Sequence, residues 1–176
     1  LIKMGVNIFY YGEDEHVKMY SELGQRSVSE SITFIAFINW YKTLNVQTKR
    51  ICKLSGRYQL NDNFILDAGA YKDGIYEDAY KDAFVFSQAL DSWMPKEKQD
   101  LTNVSKLYRL RLWHMDANLL DSFHMLLPDI LYDCAKYHID VEHSYYKHIN
   151  GKFKTVEVEK IGVEGNIAPS GEFINE

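Results

Sequence analysis

The chain has 176 residues, enough for one ordinary domain with a real hydrophobic core. Its 46% hydrophobic and 26% charged residues are those of a folded protein and exclude a disordered tail. A formal net charge of −5 argues against a protein built to grip nucleic-acid backbones, though it leaves room for a local basic pocket.

Leu1 to Tyr11 contains the apolar run Val6–Tyr10, which predicts a strand. Gly12 to His16 opens a polar helix that Gly24 closes. Ser27-Val-Ser-Glu30 has the spacing of a capping box and predicts a helix over Val28–Leu44. With Ile32, Phe34, Ile35, Phe37, Ile38 and Tyr41 around it, that helix is expected to be central, buried and laid against a sheet.

Lys49–Ser55 reads as a strand ended by Gly56, and Asn61-Asp-Asn63 marks a turn soon after it. Tyr71–Tyr80 is a polar, tyrosine-rich excursion over the surface. Ala83–Phe86 is another strand, and Asp91–Thr102, with Pro95, predicts a mobile loop. Lys106–Trp113 alternates cleanly as a strand, with Tyr108, Leu110 and Leu112 on one face and Arg109, Arg111 and Trp113 on the other.

Leu119 to Cys134 is a helix that Pro128 must kink or split, because proline cannot donate to the carbonyl of His124. Val141–His148 is a short helix stopped by Asn150-Gly151. Phe153–Val158 and Ile161–Val163 are late strands, before a loop at Ala168–Gly171. The expected class is therefore α/β, a mixed, mostly parallel central sheet with flanking helices in a single domain over 1–176. Cys52 and Cys134 have no paired spacing and are read as free thiols in a reducing compartment. With no apolar run of spanning length and no leader pattern at the N-terminus, the expected location is the cytoplasm.

Four groups of residues could carry chemistry. Lys53, Ser55, Gly56, Arg57 and Tyr58 form a basic strand-to-turn segment. There Gly56 permits close approach, Arg57 suits a diphosphate or carboxylate and Tyr58 suits a base or sugar. Ligands of open α/β sheets bind at such strand ends. The plainer alternative is a turn with a surface arginine.

Arg109 and Arg111 are roughly 6–7 Å apart on one strand face, and with Trp113 they suit an anionic ligand; the alternative is the polar outer face of a sheet. Asp116 or Glu142 could serve as a general base, whereas His114 and His124 lack the spacing of a zinc pair. Glu164 and Asn166, beside Gly162 and Gly165, could bind sugar hydroxyls or simply close a turn.

Lys53-Leu-Ser-Gly-Arg-Tyr-Gln-Leu60 resembles the K-(I/L)-S-G-R-Y-x-L signature of uncharacterised glycosyltransferase-like proteins from bacterial polysaccharide loci and large phages. Arg111–His114, Asp140–His143 and Glu159–Ile167 resemble the same group. The resemblance implies a GT-A-like fold that moves a sugar from a nucleotide-sugar donor to a glycan or other hydroxyl acceptor. The alternative is a non-catalytic binding or structural component of a larger assembly such as a phage particle.

In the GT-A fold the corresponding strand ends in an Asp-x-Asp metal motif; here it ends Ser55-Gly56-Arg57. That departure puts a divalent metal in doubt and assigns diphosphate neutralisation to Arg57 with Lys53, or to Arg109 with Arg111. Leu1 and the shortness of Leu1–Gly24 as a nucleotide-holding unit are read as an N-terminal truncation of that fold.

Overall fold

In the computed structural model of the chain, residues 8–72, 75–167 and 170–176 are described. These residues form two compact units, one of those up to residue 47 with 123–141, the other of those from 48 to 122 with those from 142 onward.

The first unit is helical. Helix α1 (Glu15–Glu22) starts at Asp14, whose carboxylate accepts from the amides of His16 and Val17 at 3.0 and 3.2 Å. Two otherwise orphaned donors are thereby satisfied. Helix α2 (Arg26–Thr43) begins before the predicted capping box and carries no side-chain cap. Ser27 is spent elsewhere, its hydroxyl accepting from the Val141 amide at 3.1 Å.

The expectation that α2 is wholly buried also needs correction. Only Val28, Ser29, Ser31 and Ile38 are buried on it. Its aromatic side is shared out within the unit, with Phe37 beside Phe9 and Phe34 edge-on to Phe123 of helix α4 (Leu120–Tyr137). Helix α4 runs as one element with Pro128 inside it, so the proline does not split it.

The predicted strand Val6–Tyr10 lies partly outside the described residues, and Ile8–Tyr10 join no ladder.

The second unit holds the sheets. Strands β1 (Arg50–Leu54), β5 (Ala83–Ser87), β8 (Leu112–Asp116) and β9 (Lys154–Val158) form one sheet in the order β1-β8-β5-β9. The β1–β8 and β8–β5 pairs are antiparallel and only β5–β9 is parallel. The sheet is therefore mixed as expected, but not mostly parallel. Every residue of β5 and β8 is buried, as central strands require, and the polar His114 and Asp116 are carried inside with them.

Strands β2 (Tyr58–Leu60), β10 (Val163–Asn166) and β11 (Phe173–Asn175) form a second, antiparallel sheet in the order β11-β10-β2. Strands β3 (Gly69–Lys72) and β4 (Ile75–Asp78) pair where a surface excursion was expected, part of which lies outside the described residues.

The predicted loop Asp91–Thr102 contains helix α3 (Lys96–Thr102), started at Pro95 and ended by Asn103 at φ 55°. The predicted strand Lys106–Trp113 is broken. Only Lys106–Leu107 (β7), paired with Leu90–Asp91 (β6), and β8 lie in ladders. Between them Tyr108 turns inward to stack on Phe86, with ring centroids 4.1 Å apart, and its hydroxyl reaches Glu157 at 3.2 Å. That ring fills core space, so the strand period yields to packing. Helix α5 (Val141–Ile149) matches its predicted span to within a residue and lays Tyr145 edge-on to Trp113.

Candidate functional site

Strands β2 and β10 pair Tyr58 with Gly165 and Gln59 with Glu164, and this register brings two of the four candidate groups together. Gly56, Arg57, Tyr58, Gln59, Glu164, Gly165, Asn166 and Phe173 line one open cleft of about 660 Å³. The glycines are what allow the approach. A Cβ on Gly165 (φ +148°) would sit 2.9 Å from the Arg57 carbonyl, and one on Gly162 (φ +90°) would sit 2.2 Å from the Phe64 backbone. Gly56 meets nothing within 4 Å, so no protein group packs against it and the space beside it is open.

The cleft is polar with an aromatic wall. Gln59 donates to the Glu164 carboxylate at 2.7 Å. Arg57 is exposed, and its guanidinium has no hydrogen-bond or ion-pair partner among the described residues. Tyr58 is half-buried, packed against the Leu112, Ile161 and Val163 cluster, with the Arg111 guanidinium 5.7 Å from its ring centre. Phe173 is 61% exposed and is the aromatic surface open to a ligand. Sequence reasoning missed it, because a single phenylalanine in a polar tail carries no periodic signal.

The other candidates go elsewhere. Lys53 and Ser55 serve the irregular segment 108–111, whose carbonyls no ladder satisfies. The Lys53 ammonium donates to the Leu110 carbonyl at 2.8 Å, and the Ser55 amide donates to the Arg111 carbonyl at 2.8 Å. The strand-end argument for Ser55-Gly56 also loses its premise, since among the described residues the only ladder partner of β1 is antiparallel. Arg109 and Arg111 do converge, but on a residue of the same chain, since both donate to one carboxylate oxygen of Glu176. Trp113, expected beside them as a platform, is fully buried against Phe84 and Phe86.

Asp116 sits at the far end of β1–β8 from Gly56, roughly 13 Å along the strand from Leu112. Its carboxylate accepts from Arg50 at 3.1 Å, the Asp82 amide at 2.9 Å and the Asn118 amide at 2.9 Å. Burial alone would raise this carboxyl, but the two amides and the guanidinium outweigh it and hold it below the ordinary carboxylate range. Glu142 opens α5, where its backbone carbonyl accepts from the Tyr108 amide at 3.3 Å. Neither carboxylate lines the cleft.

Two further arrangements were invisible in the sequence. Arg50 is a buried hub, donating to both oxygens of Asp78 at 2.7 and 2.6 Å and to the Tyr80 carbonyl at 2.6 Å as well as to Asp116. His114, edge-on to Tyr80 and Phe64, is pushed down to about 4 by burial, with the nearby Arg50 charge adding to the effect. Among the described residues no group of three or more His, Cys, Asp or Glu is placed to hold a metal ion. Nor is any helix among them long and apolar enough to cross a membrane. No family model matches the chain, and neither does any curated protein or solved structure.

Proposed function

We propose that this protein binds a saccharide in the β2–β10 cleft as a non-catalytic component. The observation that carries this reading is the exposed Phe173 ring set among Arg57, Gln59, Glu164 and Asn166 in one cleft. A sugar presents a C–H face to an aromatic ring and hydroxyls to side-chain donors and acceptors, and this lining offers both. The expected catalytic carboxylates Asp116 and Glu142 stand away from it, which favours binding over transfer.

A second reading, glycosyl transfer from a nucleotide sugar, has one observation in its favour. Glu164 is a carboxylate within the cleft and could take a proton from an acceptor hydroxyl. Calorimetric titration with a panel of neutral oligosaccharides and nucleotide sugars tests both. Binding weakened in Phe173→Ala and kept in Arg26→Ala supports a saccharide site here. No binding across the panel, or binding indifferent to Phe173→Ala, overturns it. Release of nucleoside diphosphate that disappears in Glu164→Gln would replace the binding reading with the transferase one.

A further inference from the structure

Resting on the saccharide reading of the cleft, we infer that its ligand is an acidic saccharide whose carboxylate or phosphate is bound by Arg57. Arg57 lines the cleft, is exposed, and has no partner among the described residues. Glu164, the one carboxylate among the described residues that line the cleft, accepts from the Gln59 amide and makes no ion pair with Arg57, so Arg57 is left to face a ligand. Its planar fork of donors matches a carboxylate or a phosphate and gains little from a neutral hydroxyl.

The wall beside it shows the same chemistry in use. Behind the Tyr58 ring, Arg111 and Arg109 both hold the Glu176 carboxylate, so this face of the unit already stabilises one acid group. Glu176 comes from the segment that ends β11, the strand that supplies Phe173, so β11 links the carboxylate clamp to the aromatic wall. A ligand with its ring on Phe173 and its acid on Arg57 uses together the cleft's exposed aromatic and a cation that has no partner among the described residues.

The test compares three probes at low and physiological salt: a neutral oligosaccharide, the same oligosaccharide with a glucuronate in place of one glucose, and its phosphorylated form. The wild-type chain should bind one or both acidic forms about tenfold tighter than the neutral one, with the gap narrowing as salt rises. The acidic form that gains identifies the source of the charge. Arg57→Gln should bring the acidic forms down to the neutral affinity, and Arg57→Lys should recover part of the gap.

Equal affinity for neutral and acidic forms in the wild type, or a preference that survives Arg57→Gln, overturns the inference. Neutral binding that depends on Phe173 would then leave the saccharide reading standing alone. Failure of all three probes overturns both. Arg57 is exposed and unpartnered among the described residues, so its substitutions should not disturb folding.

Discussion

Arg50 and Asp116 stand opposite each other at one end of the β1–β8 ladder, and their side chains form an ion pair at 3.1 Å. The guanidinium also grips Asp78 and the Tyr80 carbonyl, and its side chain is 3% exposed. One buried cation thereby joins β1, β8, the last residue of β4 and the turn that follows it.

Removing that cation takes the buried guanidinium from two carboxylates, leaving Asp116 with the Asp82 and Asn118 amides and Asp78 with Lys49 and the Tyr80 amide. Arg50→Ala should therefore cost about 3–5 kcal/mol, read as a lowered urea midpoint at pH 7. Arg50→Lys should recover only part of it, since a single ammonium cannot reproduce the forked contacts. A loss below about 1 kcal/mol in Arg50→Ala would show the network to be marginal.

His114 makes stability depend on acid. In the unfolded chain its imidazole takes up a proton near pH 6.5, whereas in the folded protein burial delays uptake until about 4. Between those values the unfolded state binds more protons, so stability falls as pH falls, by up to roughly 3 kcal/mol. Denaturant curves at pH 7, 5.5 and 4.5 should show this loss, and His114→Phe should flatten it. An unchanged slope in the variant would place the acid sensitivity elsewhere, beginning with the Asp116 carboxyl at still lower pH.

Two glycines should behave oppositely. Gly162→Ala puts a methyl group 2.2 Å from the Phe64 backbone at φ +90°, and should lower the melting temperature severely or prevent folding. Gly56→Ala meets open space and should shift it by no more than about a degree or two. Thermal melts of the pair check both; equal effects would contradict the packing around β10.

At the cleft, Phe173→Ala should weaken saccharide binding about tenfold with little effect on stability, because the ring is 61% exposed. Tyr58→Ala should weaken both, since Tyr58 also packs on the Leu112, Ile161 and Val163 cluster. Parallel titration and melting of the two variants separates a ligand platform from a structural floor.

Much of the element order was legible because period and punctuation are local. The strands at Arg50–Leu54, Ala83–Ser87 and Lys154–Val158 and the helix at Val141–Ile149 appear close to where their patterns place them. Misreadings arose where a side chain had a distant use. Ser27 does not cap its own helix because its hydroxyl serves the first amide of α5 at Val141, and Lys106–Trp113 is no continuous strand because Tyr108 is drawn into the core. Asp91–Thr102 hid a helix because Pro95, read as a breaker, instead starts it.

Within the site the sequence by itself determined which residues were chemically able: Arg57 and Tyr58 after the first strand, and Glu164 and Asn166 in a glycine-bearing turn. Only the tertiary structure decided which of them meet. Pairing of Gln59 with Glu164 is a register between residues 105 positions apart, set by burial of Val163 and by the absence of a Cβ at Gly165. The same packing committed Arg109 and Arg111 to Glu176, Trp113 to the core and Asp116 to Arg50. A local pattern can state what a side chain is able to bind, and the fold decides what is left for it to bind.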